Sequence, residues 1–422
     1  MKNFKSIKNI FKKSFFSLIL MVLGLALGYF INIYLGRTLG KDGIGVYYFI
    51  MSFINIGLIF SKFGLNISLI KISAIGKKEI LDFKLLKNSI CIVLLTSLFS
   101  IILIFLLFSF SRENLSNFKL LKIVILSIFP LTVLSIFSSI LIGGGKILSA
   151  TLIQSLLFNL IFLILILYFK SDNISNVLMF FLISSYIVLV VAGYLFFKIF
   201  RKKIDYENNT EVSIKKILKT SYPLMFISSI NILLTSLDKI MLGIWHTSGV
   251  VGIYGASQKL VAISSMGLIA INNVVAPIFA REYSNGNIIE LKRIVKIITI
   301  VMSLIASLFL LIFLKFSQEL LNIFGRGFTG TNTLKILSVG QFFVLATGPM
   351  AYLLMMTGND KFHRKNLIIS LIINILLNFI LIPKYAGEGA AIATAIALII
   401  KNLLGFIYVK KIFKNEIEKK ES

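Results

Sequence analysis

Long apolar runs recur from one end of this chain to the other, and no polar stretch between them is long enough to fold as a separate soluble domain. A helix needs about 20 mostly apolar residues to cross a bilayer. Inside a bilayer every backbone polar group must find a partner within the protein, and continuous apolar runs lack the alternation of barrel strands. The sequence therefore predicts an all-α integral membrane protein.

About twelve transmembrane helices are predicted. They lie near residues 14–36, 46–70, 88–110, 119–142, 150–169, 175–197, 218–243, 250–280, 294–314, 334–357, 366–382 and 387–409. The first run is longer than the core of a signal peptide, so it is interpreted as a retained helix. Charged residues make up 14% of the chain, against roughly 25% in soluble domains.

The lysines and arginines are distributed unevenly over the predicted connections. With the N-terminus in the cytoplasm, 30 of the 44 fall on the cytoplasmic side and three lie within predicted helices. Cytoplasmic loops of membrane proteins are enriched in these residues, so both termini are predicted to be cytoplasmic. The net charge of +27 then reflects topology. A nucleic-acid binder would gather its basic residues on one soluble face, so no nucleic-acid partner is expected.

Segments of the two halves match at a nearly constant offset. Gly45-Val46-Tyr47 matches Gly252-Ile253-Tyr254 at an offset of 207, and later matches keep the same order at offsets of 206 and 213. We predict two parallel six-helix repeats around a central cavity. The predicted division is an N-terminal bundle over 1–200, a cytoplasmic linker over 201–217 and a C-terminal bundle over 218–422.

Three lysines, Lys62, Lys259 and Lys401, lie inside predicted helices. An ionisable side chain at the bilayer centre costs about 2.5–3.5 kcal/mol on insertion scales, so it usually faces protein or water. For Lys62 a cavity role is favoured over a bond to a neighbouring carbonyl, because it is deep in its helix. For Lys259 a cavity role and snorkelling to the outer interface are equally supported. The depth of Lys401 is left open.

Other polar residues share faces with these charges. Residues three, four or seven apart lie on one side of a helix. This spacing places Ser52, Asn55, Lys62 and Asn66 on one face of the helix predicted over 46–70, and the repeat offset maps Asn66 onto Asn273.

The helix predicted over 218–243 carries a polar stripe of Ser228, Asn231, Thr235 and Asp238. Three interpretations are open for it: hydrogen bonding between helices, an ion pair between Asp238 and Lys239, or binding of a proton or Na⁺. Asn374 and Asn378, four residues apart, suit helix packing and substrate contact equally well.

Catalytic and metal sites are not expected. His246 and His363 are far apart in sequence, and no Cys, His and carboxylate spacing of a metal site appears. The single cysteine, Cys91, gives no disulfide framework. No paired carboxylates stand where acid–base chemistry could use them. The protein is therefore expected to be no enzyme and to hold no cofactor besides a coupling ion.

The segment over 34–47 reads Tyr-Leu-Gly-Arg-Thr-Leu-Gly-Lys-Asp-Gly-Ile-Gly-Val-Tyr. It resembles the first outer hairpin of the polysaccharide flippases, the O-antigen or capsular repeat-unit transporters. In that family an aliphatic-Gly/Ala-Arg-x-Leu-Gly pattern is followed by Gly-x-Tyr. The segments over 238–243, 251–256 and 276–283 resemble the family in the second half. The superfamily also contains the multidrug-and-toxin extruders. The resemblance covers essentially the whole chain, including the twelve predicted spans and the two six-helix repeats.

The resemblance implies a function and partners. An undecaprenyl-diphosphate-linked oligosaccharide would move from the cytoplasmic to the outer leaflet of a bacterial plasma (inner) membrane by alternating access, driven by a gradient of H⁺ or Na⁺. Expected partners are this lipid-linked oligosaccharide, membrane lipids, a polysaccharide polymerase and the chain-length machinery.

A diphosphate needs positive charge in the cavity, which lysine supplies as a point charge. The predicted substrate site comprises Lys62, Lys259, Arg37, Asn55, Asn66, Asn273 and Lys401. The predicted ion-coupling residues are Asp238, Asn231 and Thr235.

Three alternative functions are considered. A multidrug extruder of the same fold would need buried carboxylates, and here one carboxylate stands against three lysines. A membrane polysaccharide polymerase or glycosyltransferase would need a sizeable external loop with catalytic residues. A structural scaffold would not need lysines at this depth.

Overall fold

The computed structural model describes residues 2–75, 81–109, 115–200, 204–205 and 214–421. By their contacts they group into two units. The first comprises Met1–Leu39 and Phe49–Ile232, and the second comprises Gly40–Tyr48 and Leu233–Ser422. The linker predicted over 201–217 lies largely outside the described residues, so the division into bundles over 1–200 and 218–422 stays a prediction.

Helices make up almost all of the described part of the first unit. In chain order its elements are α1 (Lys2–Lys62, without Gly40–Tyr48), α2 (Leu65–Ile75), β1 (Leu81–Asp82), α3 (Phe83–Ser109), α4 (Leu115–Ile125), α5 (Ile128–Gly143), α6 (Ile147–Thr151), a π-helical turn (Leu152–Leu157), α7 (Phe158–Phe169), α8 (Ile174–Phe200), β2 (Ile204–Asp205) and the start of α9 (Ile214–Trp245). The two strands are two residues long and pair in parallel.

The second unit is helical throughout its described residues. It contains the Gly40–Tyr48 part of α1, the end of α9, α10 (Ser248–Ile263), α11 (Ser265–Ser284), α12 (Ile288–Lys315), α13 (Ser317–Asn322), α14 (Thr331–Ala346), α15 (Met350–Met356) and α16 (Asp360–Glu421). The predicted all-α membrane architecture is confirmed.

Eight helical segments of the described residues are long and apolar enough to cross a membrane. Two of them, Ile19–Ala74 and Asp360–Glu416, have 56 and 57 residues, and at about 1.5 Å per residue each exceeds twice the thickness of a bilayer core. Each is interrupted by left-handed backbone, at Gly40 (φ 68°) and at Ala386 (φ 48°). Each therefore provides the length of two predicted spans.

Helix α9 provides a ninth candidate span, in the region predicted over 218–243. Its two parts, Ile217–Phe226 and Ser228–Trp245, meet at an angle of 43°. Pro223 lies inside the first part, and proline removes one helical hydrogen bond and crowds the preceding turn. The region predicted as one span over 250–280 is divided at Ser264 into α10 and α11.

The helix predicted over 46–70 is interrupted, so the prediction of one continuous helix is wrong there. Phe63 (φ 44°) and Gly64 (φ 72°) adopt left-handed backbone between α1 and α2. A Cβ on Gly64 would stand 2.3 Å from the Ser221 carbonyl oxygen, so only glycine allows α9 to approach this closely. The face predicted to join Lys62 to Asn66 is therefore broken between them.

The interruption is stabilised by hydroxyl groups. The Thr96 hydroxyl donates to the Ser61 carbonyl at 2.7 Å, and the Ser68 and Ser221 hydroxyls lie 2.6 Å apart. In a membrane, backbone groups freed by a helix break need such replacement partners. The break is consequently a built feature of the first unit.

Apolar side chains cover the outside of the helices as well as the inside. On α12, Met302 and Ala306 are buried, while Leu304 and Leu311 are 68% and 65% exposed. A helix that is apolar on all sides suits a lipid environment. The interior of the first unit includes a ring stack of Phe137 on Phe196, with centroids 4.6 Å apart.

Two repeat-related glycines pack against each other in the second unit. A Cβ on Gly45 would lie 1.7 Å from the Ser248 carbonyl oxygen, and one on Gly252 would lie 2.0 Å from the Lys41 carbonyl oxygen. The offset of 207 exchanges Gly45 with Gly252 and Lys41 with Ser248. The two contacts thus mirror each other, as expected for duplicated segments that cross at a local twofold axis.

Candidate functional site

The Asp238 carboxylate is fully buried at the centre of a polar cluster in the second unit. Its Oδ2 accepts hydrogen bonds from the Tyr254 hydroxyl at 2.5 Å and from the Thr394 hydroxyl at 2.7 Å. Its Oδ1 accepts one from the Asn378 amide at 2.6 Å. We call these four residues, together with Asn374, the Asp238 cluster.

Three helices bring the Asp238 cluster together. Asp238 lies on α9 and Tyr254 on α10, while the other members lie on the two arms of α16. The break at Ala386 lets α16 contribute from both arms, because Asn374 and Asn378 precede it and Thr394 follows it. The Asn374 amide donates to the Thr394 hydroxyl at 3.4 Å, and the Asn378 amide donates to Asn374 Oδ1 at 3.1 Å.

The surroundings of Asp238 can stabilise a buried carboxylate, and they also place oxygen atoms where a cation could bind. Burial of a carboxylate is costly unless donors surround it, and three donors do so here. The cluster is also rich in oxygen atoms, and Asn378 Oδ1 is buried without a partner within the described residues. Amide orientations are assigned from the hydrogen-bond network. A flip of this amide would place its oxygen beside Asp238 Oδ1, an arrangement that needs a proton or a cation between the two oxygen atoms.

Lys239 follows Asp238 in sequence but forms a different set of contacts. Its Nζ donates to the Thr235 carbonyl at 2.5 Å and to Gln258 Oε1 at 2.7 Å. Of the three interpretations open for Asp238, the ion pair with Lys239 is thus not the arrangement observed. The carboxylate is bonded to neutral donors of α10 and α16 instead.

The other predicted residues have different surroundings. Lys259, Arg37, Asn55, Asn231 and Thr235 are exposed, Lys62, Asn66 and Lys401 are half-buried, and the side chain of Asn273 lies outside the described ones. Lys62 is the last residue of α1 before the helix break. The Lys401 carbonyl accepts a hydrogen bond from Asn366 at 2.7 Å.

This hydrogen bond places Lys401, on the second arm of α16, beside Asn366 on the first arm. Asn366 is only six residues from the first residue of the helix, Asp360, or about 9 Å along the axis. Lys401 is therefore near the end of the unit where α16 begins and not at mid-length.

Two members of the Asp238 cluster, Tyr254 and Thr394, were not predicted as site residues. Tyr254 closes the repeated Gly-x-Tyr motif, so the repeat did mark it, although as a signature and not as a donor. Thr394 stands in an alanine- and isoleucine-rich run without any polar pattern. Only the return of the second arm of α16 places its hydroxyl beside the carboxylate.

Solved structures of membrane transporters share this fold. The lipid II flippase MurJ in its inward closed conformation matches with a TM-score of 0.75 and 18% identity over 96% of this chain and 89% of that one. An inward-facing multidrug resistance MATE family transporter matches with a TM-score of 0.71 and 13% identity over 95% and 96%. A Pyrococcus furiosus transporter of the MOP superfamily matches at 0.68 with 15% identity over 96% of each chain.

These likenesses define the class: a multi-pass α-helical membrane protein with the MOP superfamily fold. The chain belongs to the polysaccharide biosynthesis protein family, whose model matches residues 10–282. The capsular polysaccharide biosynthesis protein CapF of Staphylococcus aureus is 26% identical over 262 residues, which is 61% of this chain and 66% of that protein. The predicted resemblance to this family is confirmed.

Proposed function

We propose that the protein is a flippase that carries an undecaprenyl-diphosphate-linked oligosaccharide repeat unit from the cytoplasmic to the outer leaflet by alternating access. One observation carries this proposal. Lys62, Lys259 and Lys401 lie in apolar helices, and among the described residues none of the three forms an ion pair. The one carboxylate of the Asp238 cluster is occupied by neutral donors. This charge inventory suits an anionic substrate and disfavours a cationic drug.

The family supports the substrate class. The family model is that of a polysaccharide biosynthesis protein, and the relative CapF is named for capsular polysaccharide. A lipid-linked glycan presents a diphosphate to the transporter, and lysine is an effective point-charge partner for phosphate. We assign this contact to Lys62 and Lys259. Arg37, Asn55, Asn66, Asn273 and Lys401 are assigned further contacts with the headgroup or sugars.

We further propose that the Asp238 cluster couples transport to an ion gradient, as predicted for Asp238, Asn231 and Thr235. A carboxylate that is shielded from solvent and surrounded by oxygen atoms can take up either a proton or Na⁺. No other cofactor is needed for such a cycle. The expected setting is the bacterial plasma (inner) membrane with both termini in the cytoplasm. A polysaccharide polymerase and the chain-length machinery would receive the product there.

Reconstitution tests the proposed activity directly. Purified protein in vesicles is given a fluorescent undecaprenyl-diphosphate oligosaccharide on one leaflet, and a membrane-impermeant quencher reports its arrival on the other. We expect protein-dependent translocation that increases when a Na⁺ or proton gradient is imposed. Protein-free vesicles and a cationic dye serve as controls. Translocation of the dye but not of the lipid would replace this proposal by the multidrug extruder.

Asp238→Asn is expected to weaken Na⁺ binding at least tenfold, because the substitution removes the charge that attracts the cation while keeping the shape. A tenfold loss of affinity corresponds to about 1.4 kcal/mol. Trp245, the only tryptophan of the chain, provides the readout. Its ring packs edge-on against Phe379, the neighbour of Asn378, with centroids 5.6 Å apart.

A Na⁺ titration should therefore change the fluorescence of Trp245 in the wild-type protein and leave it almost unchanged in the variant. Asp172→Asn, which changes the same charge at an exposed position, is the matched control and should behave as wild type. Equal titrations of the wild type and Asp238→Asn, together with unchanged transport under Na⁺ and proton gradients, would refute ion coupling at this cluster.

A further inference from the structure

The connection between α12 and α14 is longer than its counterpart in the first half of the chain. Residues 111–113 match 317–319 at an offset of 206, whereas residues 121–123 match 334–336 at an offset of 213. The offsets differ by seven, so the second half carries seven additional residues between 319 and 334. Because the shorter connection is enough to join two predicted helices, the additional residues are available for another role.

The longer connection folds into a compact segment, Phe316–Gly330, which we call the strap. Phe324 and Phe328 are fully buried, and their ring centroids lie 5.8 Å apart. The side-chain amide of Gln318 donates to Asn322 Oδ1 at 2.8 Å and to the Phe328 carbonyl at 3.1 Å. Two buried rings and a hydrogen bond that spans the loop therefore hold the strap in one shape.

One end of the strap is seated on α10. A Cβ on Gly330 would overlap Ile253 Cγ2 and would lie 3.6 Å from Ile253 Cβ. Gly330 is also the residue that precedes α14, so the strap and the start of α14 share this contact. The strap is thus fixed to the part of the second unit that contains α10.

The strap and α10 form a narrow slot around Lys41. A Cβ on Gly249 of α10 would lie 3.5 Å from Lys41 Cδ, and a Cβ on Gly327 of the strap would lie 3.9 Å from the same atom. The apolar stem of Lys41 therefore passes between two glycines, although the residue as a whole is exposed. Lysine commonly buries its methylene groups in this way and keeps its ammonium group in water.

Lys41 belongs to the segment that crosses α10. Gly40–Tyr48 meets α10 at Gly45 and Gly252, where the helices approach backbone to backbone. Close glycine contacts depend on packing and on weak Cα–H···O interactions. Their separation leaves no polar side chain of these glycines unpaired. The grip on the Lys41 stem is an additional contact that opposes this separation.

We propose that the strap is a latch that grips the stem of Lys41 against α10 and thereby holds the Gly40–Tyr48 segment on α10. Release of the stem from the slot lets the segment separate. The role of this release in transport rests on the proposed function, because alternating access opens contacts at one end of the molecule; the grip itself does not. The strap follows the ninth predicted span, so this end is external if both termini are cytoplasmic.

Labelling of a buried cysteine measures how readily the segment separates. Ile44 lies in the segment and is fully buried, and Cys91, the only cysteine of the chain, is replaced by serine. The purified full chain with Ile44→Cys is treated with a hydrophilic maleimide. Adding Lys41→Ala should speed labelling at least about fourfold, the factor for one buried methylene group. Lys41→Met keeps an apolar stem without the charge and should label as slowly as the parent.

Two strap variants and a matched control test the strap itself. Phe328→Ala removes an anchor, and Gln318→Leu removes the hydrogen bond that closes the strap; both should speed labelling of Ile44→Cys. Phe279→Ala removes the same atoms from another fully buried position of the second unit and should not. Equal labelling of the parent, Lys41→Ala and both strap variants would overturn the latch. Equally fast labelling in Phe279→Ala, or in Lys41→Met, would also overturn it.

The seat of the strap on α10 is tested separately. In Gly330→Cys combined with Ile253→Cys, the overlapping methyl group is removed and the two Cβ atoms would be 3.6 Å apart, within the range for a disulfide bond. Oxidation should link the pair, and a pair that stays reduced would contradict this seat and the latch with it. Labelling that depends on the strap, combined with failed lipid translocation, would refute the proposed function alone.

Discussion

Lys62→Ala is expected to reduce the export of surface glycan at least about tenfold, with lipid-linked repeat units accumulating on the cytoplasmic side. Loss of a hydrogen bond to a charged phosphate removes about 1.5–3 kcal/mol, and each 1.4 kcal/mol is a factor of ten. The measurement is surface polysaccharide per cell at equal protein level in the membrane.

A purely structural effect of this substitution would be smaller. Lys62 ends α1, and a cation at a helix C-terminus contributes about 0.3–1 kcal/mol by interaction with the helix dipole. That amount lowers stability without abolishing insertion. A transport defect in a normally inserted, thermally stable variant would therefore point to substrate contact and not to a weakened helix.

Two controls separate charge from position. Lys62→Arg keeps the positive charge and should retain most of the export. Lys71→Ala removes a lysine from an exposed position of α2 and should export at the wild-type level. Wild-type export by Lys62→Ala would remove Lys62 from the substrate site. Equal losses in Lys62→Ala and Lys71→Ala would show that export depends only on the total charge of this segment.

Gly252→Ala is expected to destabilise the second unit strongly, because the added methyl group has no room. The new Cβ would stand 2.0 Å from the Lys41 carbonyl oxygen and 3.2 Å from the Gly45 nitrogen. Both obstacles are backbone atoms, so no side-chain rotation can relieve the clash. Overpacking of a dense interior costs about 1–3 kcal/mol and sometimes more. Thermal unfolding of the detergent-solubilised protein measures the loss.

Gly267→Ala is the matched control, because nothing lies within 4 Å of its would-be Cβ. Alanine is more favourable than glycine in a helix by up to about 1 kcal/mol, so this control should unfold at the same temperature or higher. The two identical substitutions are expected to act in opposite directions. A Gly252→Ala protein as stable as the control would contradict the close helix contact and the local twofold relation inferred from it.

The class of the protein and its general function were accessible from the sequence, because the constraints behind them are local. Twelve apolar runs demand helices wherever they meet lipid, and the hairpin around Gly36 and the Gly45-Val46-Tyr47 motif carry the family resemblance. The repeat offset also marked Gly45 and Gly252 as equivalent. It could not show that these two glycines contact each other, because an offset along the chain gives no distance in space.

The helix predicted over 46–70 is interrupted by a contact that the local sequence does not indicate. Apolar periodicity passes through Phe63 and Gly64 without a visible signal, and the break there depends on the close approach of α9 at Ser221. The face assigned to Lys62 and Asn66 assumed an unbroken helix. Tertiary contact overrode that assumption.

By itself, the sequence determined the helical membrane architecture, the family and the presence of a carboxylate and three lysines in apolar segments. These follow from composition and spacing, which act over a few helical turns. Only the tertiary structure decided which groups meet Asp238. Tyr254 and Thr394 are 16 and 156 residues away from it along the chain. The break at Ala386 and the packing of α9, α10 and α16 bring their hydroxyls to one buried carboxylate, where desolvation makes every donor necessary.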